Sequence, residues 1–451
     1  MADILSLDAT AQLQALTTKQ ISAVELLDRA VARYEATHAQ LNAVIGTDLD
    51  RARRRAREID KQRARGEAPG PLAGLPMTVK DSLDVEHMPA SSGLETLLQR
   101  PAEDAAVVAS TRAAGAVIWG KTNVPVMTAD WQSFNALYGT TNNPWNLERT
   151  CGGSSGGAAV ALAAGVTALE IGSDIGGSLR VPANFCGVFS HKPTWGLVPQ
   201  AGHVPPKPGT VAARDLNVVG PMARSVRDLR LLLSLISQEP TAAEAAPASL
   251  KDLKLGLWLD EPDYPLDPQV RAVVEAFADG LARRGAAIEP VRPVDVAVLT
   301  PAYRTLLSAA MAEDMPSNAG MSHAVWLEAN EVRARLGQKA SGLFDRLDGV
   351  IAPITPVTAF PHDHQPMGAR KLRYSNGQTF AYTSILDWIA LATACGLPAT
   401  AIPAGLAADG LPVGVQIIGP RGGDARTLAV AQAIEDELGG FVPPPAMAKA
   451  P

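Results

Sequence analysis

The chain has 451 residues, a hydrophobic share of 47% and a formal net charge of −6 at pH 7. A mildly acidic protein lacks the basic field that would hold nucleic acid or an anionic membrane surface, so neither is expected as a partner. The three cysteines, Cys151, Cys186 and Cys395, are too few and too scattered for a disulfide framework or a four-ligand zinc site. The closest histidine pair, His362 and His364, is interpreted as part of a solvated loop, so we expect no metal and no cofactor.

The chain begins with a segment that has no basic region, no apolar run and no small-residue cleavage site. No stretch of the sequence reaches the roughly 18 to 20 consecutive apolar residues that a membrane-spanning helix needs. The sequence therefore predicts a cytoplasmic protein.

Residues 8–60 have the apolar spacing of helices, with Thr18 or Ser22 as the candidate cap, and residues 68–76 form a break rich in proline and glycine. Helical spacing returns later, for instance at Val270, Val273 and Phe277. Seven short apolar segments are typical of buried strands: residues 114–122, 166–174, 253–260, 286–293, 348–356, 398–405 and 412–419. Strands that alternate with amphipathic helices predict an α/β sheet covered on both faces.

One segment, residues 238–250, is rich in alanine and proline and poor in large apolar side chains. This composition is typical of a surface connection between two lobes, and we expect it to lie within one domain rather than to divide two.

Two glycine-rich stretches carry serines, and they are close in sequence: residues 151–165 and residues 172–187. The first leads into an alanine-rich helical pattern, which would place Gly156 and Gly157 at a helix N-terminus. The second contains Ser178, which follows two glycines. A serine nucleophile usually has a histidine as its base, but the nearest histidine on the C-terminal side is His191. Consecutive backbone amides in this second stretch could form an oxyanion hole: those of Ile175, Gly176, Gly177 and Ser178. A plain glycine turn between packed elements is the alternative interpretation.

Two other motifs compete for these stretches. Residues 152–156 and 153–157 both match the G-x-S-x-G nucleophile elbow, but the preceding residues 140–151 are polar and include Pro144, which argues against the buried strand that this elbow requires. Neither stretch matches the phosphate-binding patterns G-x-x-x-x-G-K-[ST] or G-x-G-x-x-G, so nucleotide binding is not expected.

Several segments, taken together and in order, resemble the amidase signature family of serine hydrolases. They are "LAGLPMTVKDSLDV", "GGSSGG", "GSDIGGSLRVPANFCGVFSHKPT", "ITPVTAF" and "GLPATAIPAGLAADGLPVGVQIIGP". The resemblance implies a single large α/β domain over residues 1–451, with a mixed, twisted β-sheet covered by helices on both faces. Within it we expect an N-terminal helical segment at 1–65, a catalytic core at 66–237 and a C-terminal part at 250–451 that completes the sheet and the substrate pocket.

The same resemblance implies a catalytic triad without histidine. Lys80 would be the base, Ser154 the bridging serine in a cis peptide and Ser178 the nucleophile, and Ser155 is the fallback for the bridging role. Asp174 and Arg180 would brace the nucleophile loop, although an ion pair with no catalytic part is an equal alternative. Ser173 departs from the threonine that is common in the family, which leaves the triad positions untouched.

The implied activity is hydrolysis of amide bonds through an acyl-enzyme, with esters and carbamates (urethanes) as further substrates. Four aromatic residues clustered between two family motifs suggest an apolar pocket for aryl or aliphatic amides, with core packing as the alternative: Tyr374, Phe380, Tyr382 and Trp388.

The expected partner is a small-molecule substrate, and the protein is expected to be a monomer or homodimer. The alternative function is the glutaminase subunit of a complex that amidates Glu-tRNA.

Overall fold

The computed structural model describes residues 3–67, 69–238, 249–314, 320–445 and 447. Its α-helices are α1 (Ala9–Thr17), α2 (Ala23–Leu41), α3 (Leu49–Ala64), α4 (Ala106–Ala113), α5 (Gly156–Ala163), α6 (Arg180–Cys186), α7 (Val226–Ile236), α8 (Pro268–Arg283), α9 (Val296–Ala310), α10 (His323–Ser341), α11 (Ile385–Ala394) and α12 (Asp424–Leu438).

The strands are β1 (Val44–Thr47), β2 (Pro76–Lys80), β3 (Val117–Thr122), β4 (Phe134–Asn135), β5 (Gly139–Thr140), β6 (Asn142–Asn143), β7 (Asn146–Thr150), β8 (Leu169–Asp174), β9 (Phe189–Lys192), β10 (Val218–Ala223), β11 (Lys254–Leu257), β12 (Ala287–Pro290), β13 (Gly349–Pro353), β14 (Lys371–Arg373), β15 (Thr379–Ala381), β16 (Ala399–Leu406) and β17 (Pro412–Ile418). Each of the seven segments with a strand pattern overlaps one of these strands.

The large sheet has eight strands in the order β12-β11-β13-β17-β16-β9-β10-β8. Its first three strands run parallel to one another, and the remaining neighbours are antiparallel. Helices α6, α8 and α12 pack against β16 and β17, and α7 packs against β10. The prediction of one α/β domain built on a mixed sheet and flanked by helices is therefore confirmed.

A smaller sheet carries the candidate lysine. Its order is β1-β3-β2, with β2 parallel to β3 and β1 antiparallel to β3. Strand β2 lies against β8 of the large sheet, where Thr78 Oγ1 donates a 2.6 Å hydrogen bond to Glu170 Oε1. This contact brings the end of β2 to the end of β8, so residues far apart in sequence meet at one point.

Local sequence explains how the flanking elements begin. Ser22 caps α2 through a capping box with Glu25, whereas Thr18 closes the end of α1, so Ser22 is the N-terminal cap of the pair that we predicted. Every residue of α5 is buried, which fits a helix made only of glycine, alanine, valine and leucine.

Two sequence expectations concern the boundaries of the chain's parts. The predicted connection at 238–250 lies almost wholly outside the described residues, and the proposed subdivision of the domain stays a prediction. Within the described ranges no helix has the length and apolar character required to cross a membrane.

Candidate active site

Lys80 is the last residue of β2, and its side chain is completely buried. The Nζ atom lies 2.7 Å from Ser154 Oγ and 2.8 Å from Ser173 Oγ, with the Ser173 carbonyl oxygen at 3.5 Å. All three neighbours of the amine are therefore polar atoms from the two glycine-rich stretches. A lysine that takes protons through Ser154 must be within hydrogen-bond distance of its hydroxyl, as Lys80 is.

Burial changes the acid–base character of this lysine. It lowers the pKa of Lys80 from 10.5 to about 7, against the opposing effect of the carboxylates of Asp174 and Glu170. Burial also raises the pKa of Glu170 to about 7, although hydrogen bonds such as that from Thr78 oppose the rise. The amine of Lys80 can therefore exist in the neutral form near neutral pH, which a general base requires.

Ser154 follows a cis peptide bond, Gly153–Ser154, just before α5. Gly153 is in close contact with the backbone of Asp130, since a Cβ at this position would lie 2.5 Å from its carbonyl oxygen. A larger residue at 153 would therefore force the backbone next to Ser154 or that of residues 130–132 to shift. The neighbouring Ser155 Oγ instead lies 3.4 Å from both the nitrogen and the carbonyl oxygen of Ser173. Of the two candidate bridging serines, only Ser154 contacts the lysine.

Ser178 lies on the turn between β8 and α6. Gly177 has a φ of +90° there, a conformation that side chains other than glycine rarely adopt. The Ser178 carbonyl accepts a 3.2 Å hydrogen bond from the Ser155 nitrogen, so the turn is held against the segment that carries Ser154. In the part of the chain that is described, Ser178 Oγ has no hydrogen-bond partner, and the residue remains 6% exposed. Among the described residues, this hydroxyl is therefore not committed to another side chain or backbone group.

An ion pair braces the turn from beneath. Arg180 Nε lies 3.0 Å from Asp174 Oδ2, and both side chains are fully buried. Asp174 also accepts hydrogen bonds from the backbone nitrogens of Gly177 and Leu179. Burial alone would raise the pKa of Asp174, but the Arg180 guanidinium lowers it below its usual value. The pair therefore fixes the backbone around Ser178 as well as neutralising charge.

The backbone amides of the turn differ in their availability. The N–H of Gly177 donates a 2.8 Å hydrogen bond to Asp174 Oδ1. Gly177 is therefore removed from the predicted set of oxyanion donors. For the amides of Ile175, Gly176 and Ser178, no acceptor is found among the described residues. These three amides are the remaining candidates for holding an oxyanion.

The four clustered aromatic residues occupy different environments. Trp388 is buried and its ring lies 5.3 Å from Trp258 in the core, and Tyr374 lies 4.3 Å from Phe380. The Tyr382 ring lies 5.2 Å from the ring of Trp131, which itself contacts the nucleophile turn. Trp131 Nε1 donates a 2.7 Å hydrogen bond to the carbonyl oxygen of Gly176, on the nucleophile turn.

Sequence patterns missed several residues of this site, among them Trp131, Glu170 and His203. His203 Nε2 lies 2.8 Å from Ser173 Oγ, which in turn contacts Lys80. The signal that could have identified Glu170 is a carboxylate within an otherwise apolar strand pattern. His191 is buried with different partners, because its ring nitrogens lie 2.9 Å from Thr400 Oγ1 and 3.0 Å from Asp424 Oδ1.

Comparison with known proteins gives the family. The family model described as Amidase matches residues 25–318 and 313–428. The A subunit of glutamyl-tRNA(Gln) amidotransferase from Synechococcus sp. (strain CC9605) is 32% identical over 97% of this chain and 98% of its own length. A crystal structure of an amidase superposes with a TM-score of 0.83 at 27% identity, covering 95% of this chain and 99% of that one.

A third relative is the structure of 6-aminohexanoate cyclic dimer hydrolase, with a TM-score of 0.82 and 26% identity over 100% of this chain and 99% of that chain. The match to the family model extends over most of the sequence and includes every residue of the lysine–serine arrangement described above. This chain belongs to the amidase signature family, whose members act on carbon–nitrogen bonds.

Proposed function

We propose that this protein hydrolyses amide bonds, with Lys80 as the base, Ser154 as the proton bridge and Ser178 as the nucleophile. The observation that carries the proposal is the 2.7 Å contact between Lys80 Nζ and Ser154 Oγ, made by a completely buried lysine. A pKa of about 7 for Lys80 supports its role, because the neutral amine can then accept a proton near neutral pH.

The proposed reaction is acyl transfer in two stages. Ser178 Oγ attacks the amide carbonyl and gives its proton through Ser154 to Lys80, while the amides of Ile175, Gly176 and Ser178 hold the oxyanion. The tetrahedral intermediate then breaks the carbon–nitrogen bond, and the proton returns through Ser154 to the leaving amine. Water, deprotonated by the same pair, attacks the acyl-enzyme, and release of the carboxylic acid restores Ser178.

Two substrate classes are compatible with this chemistry. The first is the side-chain amide of glutamine, hydrolysed by this chain as one component of a complex that amidates Glu-tRNA. The full-length similarity to the A subunit of such an amidotransferase supports this candidate. A buried ion pair near the site also supports it, since Arg370 Nη1 lies 2.6 Å from Asp130 Oδ2, and Asp130 precedes Trp131. An amino acid has an α-carboxylate that Arg370 could bind and an α-ammonium group that Asp130 could bind.

The second class is aryl or aliphatic amides, with esters and carbamates as further substrates. The Trp131 ring, which bonds the nucleophile turn, and the Tyr382 ring 5.2 Å from it favour this class, because aromatic rings offer large apolar surfaces to a ligand. The structural likeness to a hydrolase of a cyclic amide dimer agrees with this candidate. The cytoplasmic location and the monomeric or dimeric state remain predictions.

A comparison of kcat/KM for an anilide, an aryl carbamate and glutamine, on the purified chain, separates the two classes. Faster hydrolysis of glutamine, especially with a gain on adding partner subunits, selects the amidotransferase function. Faster hydrolysis of the anilide, with no effect of added subunits, selects an independent amidase. Absence of Ser178-dependent hydrolysis of all three substrates would contradict the proposed function itself.

A further inference from the structure

The imidazole of His203 completes a chain of hydrogen bonds that ends at the proposed base. His203 Nε2 lies 2.8 Å from Ser173 Oγ, and Ser173 Oγ lies 2.8 Å from Lys80 Nζ. All three side chains are buried, with His203 only 5% exposed. Water therefore cannot readily replace any partner in this series of hydrogen bonds, and each hydrogen must point to one defined acceptor.

The position of the ring is fixed by backbone pairing on both sides of it. The nitrogen of Asp84 donates to the Gly202 carbonyl at 2.9 Å, and the nitrogen of Val204 donates to the Ser82 carbonyl at 2.7 Å. These bonds join the loop that carries His203 to the backbone that directly follows Lys80. The imidazole and the amine are consequently held by one local structure.

The tautomer of His203 follows from its second partner. Nδ1 lies 2.7 Å from the carbonyl oxygen of Pro205, and a carbonyl can only accept, so Nδ1 carries a hydrogen. Burial and the proximity of Lys80 lower the pKa of His203 to about 3, which keeps the ring neutral. In a neutral ring the other nitrogen is an acceptor, so Nε2 accepts the hydroxyl hydrogen of Ser173.

This direction determines how the amine of Lys80 is oriented. A serine hydroxyl has a single hydrogen, so Ser173 Oγ can only accept from Lys80 once it donates to His203. A neutral amine has two hydrogens and one lone pair. Its hydrogens are directed to Ser173 Oγ at 2.8 Å and toward the Ser173 carbonyl at 3.5 Å. The lone pair then faces Ser154 Oγ at 2.7 Å.

We propose that His203 is a positioning residue that holds the Ser173 hydroxyl as an acceptor toward Lys80, so that the lone pair of Lys80 faces Ser154. This inference rests on the proposed function. Without the imidazole, the Ser173 hydroxyl can turn its hydrogen toward the amine and compete with Ser154 for the lone pair. The expected consequence is a slower proton transfer, with no change in substrate contacts.

The charged groups around the chain define the expected pH behaviour. Lys80 faces the carboxylates of Glu170 and Asp174 on β8, and His203 faces Lys80 and Arg214. None of these charges is removed in His203→Leu. We therefore expect kcat to fall about 10- to 100-fold at high pH, with KM unchanged and the midpoint of the pH profile not raised. A general loosening of the site would instead admit water and move the midpoint toward the ordinary lysine pKa of 10.5.

A double-mutant cycle tests the competing hydroxyl directly. In the His203→Leu background, Ser173→Ala removes the hydrogen that competes for the lone pair, so the double variant should be at least as active as His203→Leu alone. Independent structural roles would make the two losses multiply. Multiplied losses, or a raised midpoint in His203→Leu, would overturn the inference.

Two further variants keep the test decisive if His203→Leu does not fold. His203→Gln retains an acceptor and Ser173→Thr retains the hydroxyl, so the kcat of each should stay within about threefold of that of the starting enzyme. His191→Gln is the matched control, a buried histidine with no contact to Lys80, and should leave the pH midpoint unchanged. Equal kcat values for Ser173→Ala and the starting enzyme would overturn the inference.

The failure of this inference is distinguishable from failure of the proposed function. The proposed function fails if hydrolysis persists in Ser178→Ala. The inference alone fails if hydrolysis depends on Ser178 while the His203 and Ser173 variants match the starting enzyme in rate and pH profile.

Discussion

Lys80 Nζ and Ser154 Oγ lie 2.7 Å apart, although 74 residues separate them in the sequence. The contact joins the end of β2, in the small sheet, to the segment that leads into α5. It depends on the packing of β2 against β8, where Thr78 bonds Glu170. The proposed base is therefore positioned by the junction of two sheets rather than by a local motif.

The buried state of Lys80 predicts how activity depends on pH. Because the base must be neutral and its pKa is about 7, kcat/KM should rise from acidic pH through neutrality and level off in the alkaline range. The measurement is a pH profile on a slow amide substrate, for which chemistry limits the rate. A flat profile between about pH 6 and about pH 9 would argue against Lys80 as the base.

The same burial predicts that Lys80→Met is inactive but more stable. Between about pH 7 and pH 10.5 the lysine is protonated in the unfolded chain but neutral in the folded protein. The free energy of unfolding therefore rises with pH across this window. Methionine removes this cost, about 4 to 5 kcal/mol at pH 7, but also loses the hydrogen bonds of the amine to Ser154 and Ser173. The free energy of unfolding should therefore rise by about 2 kcal/mol at pH 7, with the gain shrinking at higher pH. Urea unfolding at about pH 7 and about pH 10 measures it, and a variant less stable at both pH values would contradict the expectation.

The bridging role separates two adjacent serines. Ser154→Ala should lower kcat by about 100- to 1,000-fold and leave a measurable residue of activity, because water can partly replace the bridge. Ser155→Ala is the matched control, and its loss should be at most about 10-fold, since the hydrogen bonds that Ser155 Oγ makes within the described residues go to the backbone of Ser173. A larger loss in Ser155→Ala than in Ser154→Ala would transfer the role to Ser155.

The buried ion pair predicts a stability effect. Arg180→Met leaves the Asp174 carboxylate buried without its cation, which should cost about 3 to 5 kcal/mol of unfolding free energy. The exposed pair Arg335–Glu331 is the control, and Arg335→Met should cost less than about 1 kcal/mol. Thermal and urea unfolding check both values, and similar costs for the two variants would contradict the bracing role.

Sequence patterns predicted the helix after Ser155 and the glycine turn at Ser178, because each depends on local spacing of apolar residues and glycines. They could not predict that Gly177 donates to Asp174, since this depends on the conformation of one turn. Nor could they predict His203, whose role requires two chain segments that are distant in sequence to pair beside Lys80. Family resemblance assigned the triad, whereas local patterns alone do not bring its members together.

The measurement that tests the central claim most directly is the reaction of Ser178→Ala with an amide substrate and with a fluorophosphonate probe. The proposed mechanism predicts that the variant folds normally, loses turnover and is no longer labelled, while the unaltered protein is labelled on Ser178. Full turnover by Ser178→Ala, or labelling of the unaltered protein on a different residue, would contradict the assignment of Ser178 as the nucleophile.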